Sequence, residues 1–249
     1  MKYHCLTISF IFIFAYGLLC ACSSDEITDP AEKTPSIINS GTIFFENGIC
    51  KCPEAQVGDE DTIDGKRYKA VNDSSIRAEL AAGNVYLCTT LVTDMSGSLL
   101  PLTNFFNNTS FNAPIGFWDV SNVTNMDGMF FGAEVFNQDL SKWDVSKVTN
   151  MGSLFKNASR FNQNISGWNT SNVTKMLDAF RSAKVFNQDI SPWNTQNVTT
   201  MDAMFQDASA FNQNLSNWCV TNIESEPVNF ALDAPLNQDQ FPIWGTCPF

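Results

Sequence analysis

Enzymes working in water near neutral pH draw mostly on histidine, cysteine, lysine and carboxylates, and this chain is nearly empty of the first. Its only histidine is His4, inside an apolar opening stretch. Beyond it there is no imidazole for general acid–base work, for a serine or cysteine triad, or for a zinc site. Most hydrolase mechanisms are excluded with it. Carboxylates are plentiful, and a pair of them suffices for glycoside hydrolysis. Yet Asp119 with Asp144, and Asp139 with Asp189, recur in step with a sequence repeat, which reads as turns and solvated faces. Asn137-Gln138-Asp139 and Asn187-Gln188-Asp189 could offer oxygens to calcium, but Asn164 and Asn214 replace the acid in alternate copies. The plainer expectation is a ladder of stacked amides satisfying main-chain groups. No metal and no cofactor is expected.

The cysteines are arranged differently from the acids. Beyond Cys22 they are Cys50, Cys52, Cys88, Cys219 and Cys247, with none between 89 and 218. Both ends of a regular array therefore carry cysteine and its middle carries none. Disulfides persist in exported proteins, and ends are where a stack frays. The expected staples are Cys52–Cys88 and Cys219–Cys247. Cys50 is left odd; Cys50-x-Cys52 as half a metal site would lack both a histidine and a second close pair.

The elements that must carry these side chains are set by that repeat. Tryptophan falls at Trp118, Trp143, Trp168, Trp193 and Trp218, every 25 residues. Val123, Val148, Val173 and Val198 keep step with Met126, Met151, Met176 and Met201, and with Phe130, Phe155, Phe180, Phe205 and Phe230. Phe111, Phe136, Phe161, Phe186, Phe211 and Leu236 close the apolar set, and an Asn follows each, from Asn112 to Asn237. Such regularity means stacked copies of one unit too small to bury its apolar face alone. Met151, Leu154, Phe155 and Ala158 lie at i, i+3, i+4 and i+7, which predicts a short helix, capped by Thr149 or Asn150. Trp168-Asn169-Thr170 reads as a short strand. Strands about 4.8 Å apart on one side and helices about 8–10 Å apart on the other must splay. The expected fold is α/β: an elongated, right-handed, curved solenoid of 25-residue coils, each a short strand plus a short helix. A flat all-β solenoid is the alternative.

Read from its start, residues 1–21 form a targeting segment: Lys2, an apolar run from Leu6 to Leu19, then Ala21 before Cys22, too short for a membrane span. Leu19-Cys20-Ala21-Cys22 resembles the bacterial lipoprotein signal, which implies acylation at Cys22 and attachment to the membrane through that lipid. Ser23-Ser24-Asp25-Glu26 resembles the acidic export tag of surface lipoproteins in Bacteroidetes-type bacteria. Residues 22–40, acidic and proline-bearing, read as a flexible tether. Without residues 1–21 the charge is 13 minus 26, or −13. No basic cluster appears, so nucleic acid is not an expected partner.

Residues 41–91 predict a small mixed α/β unit capping the first coil. Asn47-Gly48 and Asp64-Gly65 signal hairpins, and Asp73 can cap a helix over 74–82 that ends at Gly83. Residues 92–242 hold the repeats and 243–249 a C-terminal cap. Leu91-Val92-Thr93-Asp94-Met95 matches Asn122-Val123-Thr124-Asn125-Met126, so the first coil carries a six-residue insertion around Leu99-Leu100-Pro101-Leu102.

The motif Trp143-Asp144-Val145-Ser146-Lys147-Val148-Thr149-Asn150-Met151 with Phe161-Asn162-Gln163 resembles the BspA-like leucine-rich-repeat surface proteins. Their 25-residue repeats were first catalogued from mycoplasma proteins of unknown function. The resemblance covers roughly residues 41–249. It implies a leucine-rich-repeat-like fold, secretion or surface attachment and, for some members, adhesion. It carries no catalytic residues. Together these readings point to a non-enzymatic, lipid-anchored protein, exposed on the cell surface at the outer membrane and binding an extracellular protein or glycan. A carboxylate-based carbohydrate-active enzyme and a structural spacer of an envelope assembly are the alternatives. Strand alternation with tryptophan inside puts Asp119, Asp144, Asn169 and Asn194 in an exposed row flanked by Phe117 and Lys142, the candidate binding face. Binding is expected at the concave face, the N-terminal cap or the insertion near Leu100.

Overall fold

Two hairpins begin the described part of the chain, and both form where the sequence places them. The computed structural model describes residues 41–97 and 110–248, all within the unit Pro35–Phe249. Strand β1 (Phe44–Glu46) pairs antiparallel with β2 (Ile49–Lys51). Strand β3 (Glu60–Ile63) pairs antiparallel with β4 (Lys66–Asn72). At both turns two successive residues have positive φ: 53° and 82° at Asn47-Gly48, 51° and 74° at Asp64-Gly65. That backbone matches the right-handed twist of the flanking strands. Helix α1 (Ile76–Ala81) then leads to β5 (Leu87–Leu91), which joins β4 in parallel. Gly83, at φ 83°, closes α1 in the left-handed conformation that glycine tolerates. Asp73 does not cap α1. Its carboxylate accepts from the N–H groups of Thr93 and Asp94 at 2.7 and 3.0 Å, tying the entry of α1 to the first repeat.

From Asp94 onward the sequence period becomes a ladder. Parallel bridges link Asp94 to Asn125, Asn125 to Asn150, Asn150 to Lys175 and Lys175 to Thr200. The later steps keep the period of the tryptophans, and the first exceeds them by the length of the insertion, as the sequence match requires. The insertion near Leu100 itself lies outside the described residues, as do the targeting segment and tether.

The unit differs from its expected form in two respects. No α-helix follows the bridges among the described residues; 126–133 and its copies run as consecutive turns. Alternate N–H groups donate to the next unit: Met126 to Asn150 O, Gly128 to Gly152 O, Phe130 to Leu154 O and Gly132 to Lys156 O, at 2.7–2.9 Å. Between them, Met129 donates to Met126 O, Phe131 to Gly128 O and Ala133 to Phe130 O, each at 3.1 Å, closing turns within the unit. Asp127 N donates to the side chain of Asn125. Every N–H of the segment thus has a partner without a helix. The turns repeat every four residues, with positive φ at Gly128 and Gly132, Ser153 and Asn157, Asp178 and Ser182, Ala203 and Asp207. The second difference concerns the strand. Pairing between units is confined, among the described residues, to one residue seven after Trp118, Trp143, Trp168 and Trp193, and Trp168-Asn169-Thr170 lies outside it.

Without helices nothing holds successive units about 8–10 Å apart, and the ground for expecting splay falls away. Rings of neighbouring units lie face to face at much shorter range: Trp143 on Trp168 at 6.5 Å, Trp168 on Trp193 at 6.2 Å, Phe130 on Phe155 at 5.3 Å, Phe136 on Phe161 at 6.0 Å. The core is these rows together with Val148, Met151, Leu154 and Ala158 and their copies, all buried. It continues into Val71, Ile76 and Leu80 of the leading α/β unit, so that unit closes one end of the stack. At the other end Phe241 and Trp244 meet Phe230 edge to face at 5.4 and 5.0 Å.

Candidate functional site

The expected binding row does not survive as one surface. Asp119 is 3% exposed. Its carboxylate pairs with Lys51 of β2 at 2.9 Å and accepts from the Ser121 hydroxyl at 2.7 Å and the Ser121 N–H at 3.1 Å. Burial by itself pushes this carboxyl up; the bonds from Ser121 and Lys51 outweigh it and hold Asp119 below its ordinary pKa. Phe117 is half-buried in an aromatic cluster with Phe45, Tyr68 and Tyr86, ring centroids 5.7–6.4 Å away. Both residues join the leading α/β unit to the first repeat: β2 continues onto the array through a bridge from Cys50 to Trp118. Reading the repeat alone could not show this, because the neighbour that buries them belongs to a non-repeating segment.

Asp144, Asn169 and Asn194 are exposed. Each uses its side-chain Oδ1 to accept from the N–H two residues on, at 3.0–3.1 Å, a local turn motif of Asp and Asn. Lys142 is exposed beside them and reaches Asn47 O at 3.4 Å. The row that remains therefore starts acidic, at Asp144, and turns neutral over the next two units.

The asparagines that follow the core phenylalanines build a second row. Asn112 Oδ1 accepts from Asn137 N, Asn137 Oδ1 from Asn162 N, Asn162 Oδ1 from Asn187 N and Asn187 Oδ1 from Asn212 N, at 2.9–3.0 Å. Each of these oxygens also accepts from the following glutamine of the next unit, Gln138, Gln163, Gln188 or Gln213, at 2.8–3.0 Å. An oxygen holding two N–H donors offers little to a cation. Among the described residues no group of three acidic, histidine or cysteine side chains could hold a metal. The asparagines lie at the surface, half-buried or exposed.

The recurring acids are likewise turn residues. Asp139 and Asp189 are held below their ordinary pKa, Asp139 chiefly by the N–H of Ser141 and Asp189 chiefly by the hydroxyl of Ser191. A general acid of a glycosidase needs the opposite shift. Asp127 does move up, mainly through burial; it occupies space left by Gly152, whose absent Cβ would stand 2.8 Å from Asp127 Oδ1.

Cys52 is joined to Cys88 and Cys219 to Cys247, the pairs read from the placement of cysteines at the two ends. Cys50 is a buried free thiol. Burial, reinforced by the negative charge of Asp119, pushes it up to about 12.

One region had no place in the sequence reading. At Glu224–Val228 the last unit leaves the register of the others and opens a cleft against Thr199–Asp202. The signal was present: methionine recurs at 126, 151, 176 and 201, and the next position in that series is Glu226.

A family model described as "Mycoplasma protein of unknown function, DUF285" matches residues 86–176 and again residues 142–244. No curated protein and no solved structure matches the chain.

Proposed function

The chain belongs to the DUF285 family, whose description assigns no activity, and from that premise and the geometry above we propose a non-enzymatic binding scaffold. The repeats wind into a solenoid of the BspA-like, leucine-rich-repeat type. It is carried on the outer membrane by a lipid at Cys22 and turned to the outside, where it holds an extracellular protein or glycan. The observation that carries the reading is how the repeated polar side chains are used. Asn137, Asn162 and Asn187 bond the next unit, and Asp139, Asp144 and Asp189 bond their own turns. Groups engaged in this way build a surface; they are not poised to move protons. Lys142, Asp144, Asn169 and Asn194 are the part of that surface whose character changes from unit to unit while the core stays constant.

The test is capture of glycans and matrix proteins by the purified chain on an array. Serine at positions 144, 169 and 194 keeps an oxygen for the local turn, so the triple variant D144S/N169S/N194S should fold as the parent does. Capture should fall at least tenfold. Undiminished capture would remove the row from the function. Separately, Cys22→Ala should move the protein from the membrane fraction to the soluble one; an unmodified N-terminus in the parent would end the lipid anchor.

A further inference from the structure

In each unit from the second to the fourth, one carbonyl and one N–H beside the bridge hold the next unit. Thr124 O, Thr149 O and Thr174 O each accept from the N–H of the threonine that follows in the stack, at 2.8–2.9 Å. Met126 N, Met151 N and Met176 N donate to Asn150 O, Lys175 O and Thr200 O, each at 2.9 Å. In the fifth unit the same two groups, Thr199 O and Met201 N, have no hydrogen-bond partner among the described residues; Thr199 is exposed, whereas Met201 is fully buried.

The cause is a one-residue slip in the last unit. Asp178 N donates to Asp202 O, whereas Ala203 N donates to Val228 O, one position beyond the residue that the same step would reach. Positive φ moves with it, to Asn229 and Asp233, one beyond the positions that repeat Ala203 and Asp207. Pro227 stands where earlier units have Asp202 or Leu177. The ring stack breaks at the same step: Phe180 lies flat on Phe205 with a 9° interplanar angle, but Phe230 meets Phe205 edge-on at 89°. Residues 224–226 are exposed, and a cleft of about 300 Å³ lies between 222–228 and Thr199–Asp202, the lower end of ligand-pocket sizes.

The geometry points to this cleft as a docking site for an extended, basic segment of another protein, added as one further strand of the ladder. The segment would lie parallel to the existing bridges, one residue donating its N–H to the carbonyl of exposed Thr199. This is strand addition to an open edge, in which main-chain bonds hold the peptide and alternate side chains select it. Asp202, whose carboxylate also accepts from Val228 N at 2.8 Å, Glu224 and Glu226 line the cleft and no cation does, so side chains turned toward residues 224–226 meet negative charge. Val228, 69% exposed, gives an apolar wall. Lysine or arginine alternating with aliphatic residues is the composition that fits both. The inference rests on reading the chain as a binding scaffold and adds the place and chemistry of one partner.

The probe is a short synthetic peptide alternating lysine and valine, titrated into the isotope-labelled chain and followed by amide NMR, with a glutamate–valine peptide as control. Expected are saturable shifts at Thr199–Met201 and Glu224–Val228, loss of binding as salt is raised, and none of this from the control. Glu224→Gln with Glu226→Gln, two exposed and nearly isosteric changes, should weaken binding at least tenfold. Methylating the peptide nitrogen that faces Thr199 O should abolish it. Equal binding of both peptides, no shift at millimolar peptide, or no effect of the double glutamine variant would overturn the proposal. Shifts confined to Asp144, Asn169 and Asn194 would overturn it too while leaving the scaffold reading intact. If the array also shows no capture by the parent chain, the scaffold reading falls as well.

Discussion

Trp168 Nε1 donates to the carbonyl of Leu140, in the unit before, at 3.1 Å, while the Trp168 ring lies flat on that of Trp193 at 6.2 Å. One side chain thereby fastens three consecutive units, with its polar edge turned back and its face turned on. Trp143, Trp193 and Trp218 repeat the bond at 3.0–3.4 Å. A buried indole needs a partner for its N–H, and here the stack itself supplies it.

Two substitutions separate the ring from its N–H. Trp168→Phe keeps an aromatic face and should cost about 1 kcal/mol, the net worth of one hydrogen bond, plus the smaller ring's lost contact. Phe155→Ala, at a position fully buried between Phe130 and Phe180, should cost about 3–5 kcal/mol. Urea titration of the two variants measures both; a loss below about 1 kcal/mol for Phe155→Ala would remove that row from the core.

The amide row makes a separate prediction. Asn162 Oδ1 receives two N–H donors from the next unit, so an acceptor is what the position requires. Asn162→Ala should cost about 1–2 kcal/mol, and Asn162→Asp, which keeps the oxygen, clearly less. Chelators should leave the thermal midpoint unchanged. A midpoint that rises with calcium would return the row to the cation reading.

How much of this was legible follows from what each pattern encodes. The core positions were, since the period names Trp168, Phe155 and Phe161 whatever backbone joins them. Both hairpins were, because Asn47-Gly48 and Asp64-Gly65 are local signals. The backbone of the repeat was not. Burial at Met151, Leu154, Phe155 and Ala158 suits a helix and a run of four-residue turns equally over so short a stretch. What separates them is the chemistry of the left-handed positions: Gly128, Gly132, Asn157, Asp178 and Asp207 are residue types that tolerate positive φ. Asp119 and Phe117 were misplaced because their burial comes from β2 and its neighbours, which the period does not describe.

Asp119 also sets a pH dependence. Its folded pKa lies below the ordinary 3.8. The paired carboxylate therefore contributes stability above that value, and the contribution is lost as pH falls through the lower, folded pKa. Asp73, Asp139 and Asp189 shift the same way, so the parent should lose stability below about pH 4. Asp119→Asn should be less stable than the parent at pH 7 and converge on it in acid. A gap that persists undiminished to pH 2 would show that Asp119 acts through packing alone.

Cys50 should be inert in the folded chain. A thiol pushed up to about 12 and fully buried has almost no thiolate at pH 8, and the thiolate is the reactive form. Iodoacetamide at that pH should leave Cys50 unmodified by peptide mapping until denaturant is added, when it should label fully. Rapid labelling of the native protein would contradict its burial.

Two glycine substitutions decide between the helix and the turn ladder. Ala203 sits at φ 52°, in the region where a Cβ crowds the following carbonyl at a cost of roughly 1–2 kcal/mol. Glycine removes that cost. Against it stand the entropy of a freer unfolded chain and the loss of one largely buried methyl, each somewhat under about 1 kcal/mol. Ala203→Gly should therefore be close to neutral, within about 0.5 kcal/mol either way. In a helix the same change is destabilising by about 1 kcal/mol, with the methyl lost in addition. Asp207→Gly, at φ 59° and with its side chain only half-buried, loses no core methyl and should gain more. Thermal unfolding of the two variants beside the parent gives the answer directly: a clear loss of stability in both would mean that this segment is helical after all.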